Sequence, residues 1–462
     1  MKYAIWGTGK YYEKYKCYIN AEDVLFLIDN DKDKWGEKID GKEILAPEQA
    51  DYEKCDFVLI MIIQYEEVEQ QLLSYGLSKD KIKSYHNILE LYDIKADIVS
   101  GGSNISFEKW KKNHQGKKIF MCSNEFSRTG VPVAMMNTCT LLMKMGFEVL
   151  LSALLGGALE EEFEERGIDY LTDIGIFYKE EWFLNILKEF DLIFIGGLSA
   201  SDFSVEVSKL DLPIIFWLHE SYDVYYEKYK LIIRDNIHYY AGGKRVLEKF
   251  YEHYPSGRIE EMLYFLPQIE EMPEVRKSQE KIMFAVLGSI SKRKGQDIFI
   301  EAIKQIEEEK QKKANFVMVG SYSMADNFFD FDEQIKKIDN CKWIDELNQK
   351  ELALFYKEID VLVCPSRDDP MPIVVTQAFQ NGIPCIISDQ VGQCEYIKVG
   401  KGGEVFHSED VKELKNIMIK YIDDKEALKV KSLEAKQIFL QHFSEDAMRK
   451  HLDMITSILI ER

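Results

Sequence analysis

No pair among the eight cysteines of this chain has CxxC spacing, and several, such as Cys364 at the end of Val361-Leu-Val-Cys, lie inside apolar runs. Such thiols read as reduced and buried, as in a cytosolic protein, and leave no zinc site. No apolar stretch approaches the roughly 20 residues that span a bilayer. Met1-Lys-Tyr-Ala-Ile-Trp-Gly7 runs straight into a strand-like pattern and does not read as a signal peptide. The expected location is cytoplasmic, with peripheral membrane contact left open. Positive charge is scarce as well: 59 Lys and Arg stand against 80 Asp and Glu, a net charge of -21. That balance repels nucleic acid and anionic surfaces, so no nucleic-acid partner is expected. It also repels anionic nucleotides, so a phosphate site needs locally concentrated basic residues or helix N-termini. No internal repeat or low-complexity segment is visible.

What is present is an ordinary globular composition, 46% hydrophobic and 30% charged over 462 residues, enough for about three domains. Short apolar runs alternate with amphipathic stretches. Tyr3–Trp6, Val24–Ile28, Phe57–Ile63, Leu192–Ile195, Ile214–Trp217, Met283–Leu287, Phe316–Val319 and Val361–Val363 read as buried parallel strands. Gln296–Ile306 carries apolar residues at 298, 299, 302, 303 and 306, a helix face that leaves Ile300 off the stripe. The alternation predicts doubly wound α/β domains. Polar stretches at 97–116, with Gly101-Gly102, and at 268–280 read as linkers. The resulting units are 1–96, 117–268 and 281–445, with a C-terminal helix over 446–462.

In the first unit, Gly7-Thr-Gly9 follows a strand and Asp29 ends the next one, as in a dinucleotide site. The third glycine of that fingerprint falls on Tyr12. A structural turn with a strand-end Asp explains Gly7, Gly9 and Asp29 as well as a nucleotide site does. The stretch Ile28-Asp-Asn-Asp-Lys with Gly36 and Gly41-Lys-Glu-Ile-Leu-Ala-Pro resembles the small Rossmann-like domains that lead some sugar acyltransferases and fused glycosyltransferases. The unit therefore reads as an accessory module.

The most informative segment is Val286-Leu-Gly-Ser-Ile-Ser-Lys-Arg-Lys-Gly-Gln, a strand, a basic loop with Lys292, Arg293 and Lys294, and a helix start. Cations beside free backbone N–H groups suit a diphosphate; the alternative is a solvated basic turn. Further on come Cys364-Pro-Ser-Arg-Asp-Asp-Pro-Met-Pro-Ile-Val-Val-Thr-Gln-Ala-Phe-Gln-Asn-Gly-Ile-Pro and Val391-Gly-Gln-Cys-Glu395. In combination these resemble family 4 glycosyltransferases, retaining enzymes of the GT-B fold, over residues 117–462. The resemblance implies two Rossmann-like domains in GT-B arrangement after the small first one.

The resemblance also implies the site. Lys294, with Arg293 second, would stabilise a departing diphosphate; Asp369 would hold donor-sugar hydroxyls; Gln377, at its helix start, would hold ribose; Met371, Pro372 and Ile373 would line the donor. Ser289 takes the place of the family's arginine in the basic loop. Ser127-Arg-Thr-Gly130 matches the family's glycine-bearing loop near phosphate and acceptor. His219, in Ile215-Phe-Trp-Leu-His-Glu, matches a strand-end histidine near the donor sugar, although a lone strand-end His is commonly structural. Position 223 is Asp, so H-E-x-x-H is absent. Asp330-Phe-Asp332 matches a metal-binding spacing of another glycosyltransferase fold by chance, and no metal or cofactor is expected. The donor would be a nucleotide-diphosphate sugar, uridine favoured, and the acceptor a glycan, lipid-linked or protein group in bacterial surface-polysaccharide synthesis; homo- and hetero-oligomers stay open. The family's two acids are usually Glu, and here they are Asp369 and Gln377. That departure keeps alternatives open: a silent subunit supporting a partner glycosyltransferase, a sugar-nucleotide sensor, or an epimerase or phosphorylase of the same fold.

Overall fold

A computed structural model of the chain describes residues 1–16, 19–62, 65–84, 98–172, 181–267, 280–321, 331–345 and 347–460. It divides into two compact units, Met1–Asp97 with Thr172–Phe183, and Ile98–Leu171 with Leu184–Arg462.

The first unit is built on β1 (Tyr3–Trp6), β2 (Val24–Ile28), β3 (Lys38–Ile39), β4 (Lys42–Leu45), β5 (Phe57–Ile60) and β6 (Ile82–Ser84), in the order 3-4-2-1-5-6. β2 and β5 flank β1 in parallel. All four residues of β1 and of β5 are buried, which is why they read as unbroken apolar runs.

The second unit holds two sheets. Its first comprises β7 (Ile98–Ser100), β8 (Ser103–Ile105), β9 (Lys118–Glu125), β10 (Glu148–Leu155), β11 (Asp169–Thr172), β12 (Leu192–Gly196), β13 (Ile214–Leu218), β14 (Ile237–Ala241) and β15 (Ile259–Glu261), in the order 15-14-13-12-9-10-11-7-8. The stretch expected as a linker at 97–116 is largely folded into this sheet. β7 and β8 form an antiparallel hairpin with Ser100 opposite Ser103. Gly101 and Gly102, at φ 53° and 72°, make its two-residue turn. Two consecutive left-handed residues match the twist of a hairpin, so glycines that look like a flexible hinge instead close a tight turn. The helix Phe107–Asn113 follows, capped by Ser106, with Trp110 buried and donating to Asp169 Oδ2 at 2.8 Å.

The other sheet comprises β16 (Ile282–Leu287), β17 (Ala314–Val319), β18 (Cys341–Ile344), β19 (Val361–Cys364), β20 (Cys385–Ser388) and β21 (Gly403–Phe406), in the order 18-17-16-19-20-21. Its pairings are all parallel. The strand order reverses between β16 and β19, and ligands of such sheets bind at the carboxyl ends of the strands at that point. Ile300 is fully buried despite lying off the stripe of its helix. The helix Gln296–Lys304 packs its second side on the helix Val411–Asp423, with Leu414 and Met418 in the same apolar cluster. One continuous core joins the two sheets, taking in Ile119 and Trp217 from the first and Leu362, Val375 and Phe379 from the second. After a π-helical turn at Phe439–Phe443, the last helix, Glu445–Ile460, returns to the first sheet's side, where Lys144 pairs with Glu445 at 3.0 Å. Among the described residues no helix is long and apolar enough to cross a membrane.

Candidate functional site

The site grows from the loops that leave β16 and β19. After β16 the chain makes a 3-10 turn, Lys292–Lys294, and then Gly295 at φ 71° before the helix Gln296–Lys304. A side chain at 295 would place its Cβ 2.1 Å from Pro365 O, so glycine alone lets the basic turn lie against the β19 loop. Arg367 fastens the two from beneath. Its backbone N–H donates to Arg293 O at 2.8 Å, and its guanidinium meets Lys292 O at 2.6 Å and Asp297 bidentately at 2.9 and 2.8 Å.

This geometry brings three of the residues singled out in the sequence, Lys294, Arg293 and Asp369, together. Lys294 Nζ donates to Asp369 Oδ2 at 2.6 Å, and Arg293 NH1 stands 3.7 Å from the same oxygen. Asp369 is 6% exposed. Its loop is clamped to the one after β20, by Asp369 N to Gln390 O at 3.1 Å and Gly392 N to Asp369 O at 3.0 Å. Ser289 is exposed, and its carbonyl accepts from Gln296 Nε2 at 3.0 Å. Met371 lies against Gly243, which caps the helix that follows β14.

The helix Ile373–Gln380 begins at Pro372 with no side-chain cap and no acid in its first turn. Its leading N–H groups are thus free of local anionic partners, as a phosphate needs. Gln377 corrects the expectation in position: it sits in the second turn, not at the start. There Tyr356 OH donates to its Oε1 at 2.9 Å, so one of the two lone pairs on the carbonyl is already engaged. Beside it, Thr376 bonds Tyr264 OH at 2.7 Å across the two sheets, and Gln393 Nε2 holds Pro372 O at 2.9 Å.

From the first sheet, Gly130 opens the helix Gly130–Lys144, and Ile373 Cδ1 lies 3.9 Å from where a Cβ on Gly130 would be. The two helix starts therefore meet. His219 directly follows β13 and is half-buried, its ring centroid 4.4 Å from that of Trp217, and its buried Nε2 has no hydrogen-bond partner among the described residues. Burial pushes its pKa down to about 3, so it is a neutral imidazole at pH 7. The carboxylate of Glu220 accepts from Leu198 N at 3.0 Å and His219 N at 3.1 Å; burial pushes its pKa up against these bonds.

Sequence reading missed Arg245, Asp368 and Tyr222. Arg245, one residue into the helix Lys244–His253, reaches across to Asp368 Oδ1 and Gln390 Oε1, both at 2.9 Å. Arg293 NH1 donates to Asp368 O at 2.9 Å and Tyr222 OH at 3.2 Å. Desolvation pushes the Asp368 carboxyl up, and Arg245 and Arg293 pull it back. A signal existed: Gly242-Gly243-Lys-Arg after β14 repeats the glycine-and-cation pattern of the loop after β16.

Of the candidates in the first unit, Asp29 and Gly7 are occupied internally. Asp29 Oδ2 accepts from Thr8 N at 3.2 Å, Thr8 Oγ1 at 2.5 Å and Lys34 Nζ at 3.0 Å, and Oδ1 accepts from Asp31 N at 3.0 Å. These bonds hold its pKa below the usual carboxylate value despite burial. Gly7 packs on Ile62, while Gly9 faces open space. A ribose would have to displace these contacts. Of the Asp330–Asp332 match, Asp330 lies outside the described residues, as do 268–279 of the second expected linker.

Comparison with known proteins agrees with this layout. Residues 267–438 match the family described as glycosyl transferases group 1, residues 115–240 match glycosyl-transferase family 4, and residues 1–83 match C2185-like, N-terminal. An uncharacterized 41.2 kDa protein in the cps region of Klebsiella pneumoniae is 29% identical over 33% of this chain and 40% of its own length. The UDP-Gal:alpha-D-GlcNAc-diphosphoundecaprenol alpha-1,3-galactosyltransferase of Escherichia coli is 24% identical over 46% of this chain and 52% of its own. The chain thus spans about a third to one half of the length of the curated relatives it matches. The crystal structure of Anabaena Alr3699/HepE in complex with UDP and glucose is 15% identical, covers 74% of this chain and 100% of that one, and superposes with a TM-score of 0.60, a likeness of fold. Residues 115–240 and 267–438 thus match glycosyltransferase family models, and the second unit has the GT-B fold.

Proposed function

We propose that the chain transfers a sugar from a nucleotide-diphosphate sugar, with a uridine diphosphate sugar favoured, to a glycan, lipid-linked or protein acceptor in bacterial surface-polysaccharide or glycoconjugate synthesis. The observation that carries this is the Lys294–Asp369–Arg293 cluster, set where the order of the second sheet reverses and beside the uncapped start of the helix Ile373–Gln380. In a chain of net charge -21, that is a local concentration of cations and backbone N–H groups suited to a diphosphate. The HepE complex with UDP and glucose, on the same fold, supports the donor class.

In this reading Lys294 and Arg293 stabilise the charge that develops on the departing diphosphate and fill the part a metal ion would play, so no metal is required. Asp369 accepts hydroxyls of the donor sugar while held by Lys294. Neutral His219 offers its free Nε2 to the same sugar, and Gln377 holds ribose. The sugar C1–O bond to phosphate breaks, the bond from C1 to the acceptor oxygen forms on the same face, and the acceptor proton passes to the released diphosphate. That path retains the anomeric configuration and needs no protein nucleophile.

A silent subunit that supports a partner glycosyltransferase is the second reading, favoured by Gln377 and Asp369 standing where the family places glutamates. Binding and hydrolysis measured with a panel of nucleotide sugars separate the two. Release of the free nucleotide supports the enzyme, binding without turnover supports the silent subunit, and absence of binding sinks the donor site itself.

A further inference from the structure

A cavity of about 360 Å³ opens beside the donor cluster, between the start of the helix Lys244–His253 and the loop after β20, within the roughly 300–1,000 Å³ of small-molecule sites. Two residues that line it each hold a buried polar atom that nothing among the described residues satisfies. Ser221, only 7% exposed, has an Oγ without a partner among the described residues, and the buried Nε of Arg245 has none there either. Buried polar atoms are rarely left unpaired, so a small shift of Ser221 or Arg245 toward the cavity gives a ligand's oxygens two donors to meet.

The charges decide which ligand. Lys244, Arg245 and Lys249 line the cavity, against Glu248, Glu252, Asp389 and Glu395. Each cation already has an anionic partner in or beside the wall: Lys244 with Glu395 at 3.0 Å, Arg245 with Asp368 at 2.9 Å, and Lys249 with Glu252 and Asp223. A phosphate would meet no unpaired cation and a surplus of carboxylates. A molecule dense in hydroxyls, each both donor and acceptor, can satisfy Ser221 and Arg245 and also donate to the carboxylates.

We infer that this cavity is a subsite for a neutral saccharide, the acceptor end of the reaction. The inference rests on the glycosyltransferase reading for that role. The wall is joined to the donor cluster through Asp368, whose carboxylate holds Arg245 and whose carbonyl holds Arg293 at 2.9 Å. A hydroxyl bound against Arg245 is thereby set next to the groups assigned to the diphosphate.

The test is ligand-observed NMR and calorimetry on the full chain, with methyl α-glucoside and N-acetylglucosamine as neutral probes and glucose 1-phosphate as the anionic one. Glu248 is exposed on its helix, so Glu248→Trp blocks the cavity without touching the core. It should weaken neutral-sugar binding by about tenfold or more, and Ser221→Ala should weaken it several-fold. Glucose 1-phosphate can also occupy the donor cluster, so its binding should be unchanged by Glu248→Trp. The subsite is overturned if wild type binds no neutral probe, if both variants bind as wild type does, or if Glu248→Trp weakens glucose 1-phosphate more than the neutral probes. A UDP titration of the same wild-type sample decides the donor assignment separately. Saccharide binding lost in the variants without any UDP binding would keep the cavity and sink the donor reading.

Discussion

Removing Lys294 should separate two quantities that the structure ties together. Its ammonium lies 2.6 Å from Asp369 Oδ2, with side chains 17% and 9% exposed. Truncating one partner of a buried pair costs about 3–5 kcal/mol when nothing else meets the stranded charge. Here Arg293 NH1 stands 3.7 Å from the same oxygen and takes up part of it, so Lys294→Ala should destabilise by about 1–3 kcal/mol. The loss in turnover is a different matter. A charge-assisted bond to the leaving diphosphate is worth about 1.5–3 kcal/mol, or roughly ten- to hundredfold. Adding Asp369→Asn removes the stranded charge, so the double variant should recover most of the stability of the single one and none of its turnover. Thermal unfolding and nucleotide release from a UDP-sugar read the two effects independently. If Lys294→Ala turned over like wild type at an unchanged melting temperature, or if the double variant regained activity, the loop after β16 would not be the phosphate site.

Three further outcomes are expected. Gln377→Glu keeps the oxygen that Tyr356 OH bonds and adds charge, so UDP affinity measured by calorimetry should be equal or higher by about 1 kcal/mol or less; a large loss would show that the amide NH₂ is the group the ligand needs. His219 has a folded pKa near 3 against 6.5 unfolded. The unfolded chain therefore binds more protons between those values, and the stability that depends on a neutral His219 is present above pH 6.5 and lost as pH falls toward 3. His219→Gln should flatten the pH dependence of the melting temperature across that window, by at most about 1.4 kcal/mol per pH unit; parallel profiles for variant and wild type would contradict this. A chain beginning at Ile98 should fold and still bind UDP, because Ile98 opens the second compact unit; insolubility of that chain would show that the core needs the first unit.

The sequence was most legible where the physics is local. A parallel strand buried on both faces must be a short apolar run, so β1, β5, β12, β13, β16, β17 and β19 could all be read from Tyr3–Trp6 onward. The basic loop with Lys294 was legible because it follows such a strand and enters a helix, whereas Asp369 was picked out through the resemblance of its segment to family 4 glycosyltransferases. Gly101-Gly102 misled because a hairpin turn and a flexible hinge use the same residue, and only the pairing of Ser100 with Ser103 tells them apart. Gln377 was misplaced by one helical turn, because Pro372 ends the extended segment and the helix begins at once. The Arg245–Asp368 contact joins residues 123 positions apart, and nothing within either segment announces the other.

The most direct measurement is nucleotide release from UDP-glucose, UDP-galactose and UDP-N-acetylglucosamine by the full chain and by Asp369→Ala, with binding followed by calorimetry on the same samples. The account predicts that wild type binds at least one of these donors and releases UDP from it, and that Asp369→Ala stops release. Binding without release, unchanged by Asp369→Ala, would contradict an enzyme and leave the silent subunit; no binding of any of the three would contradict the donor site.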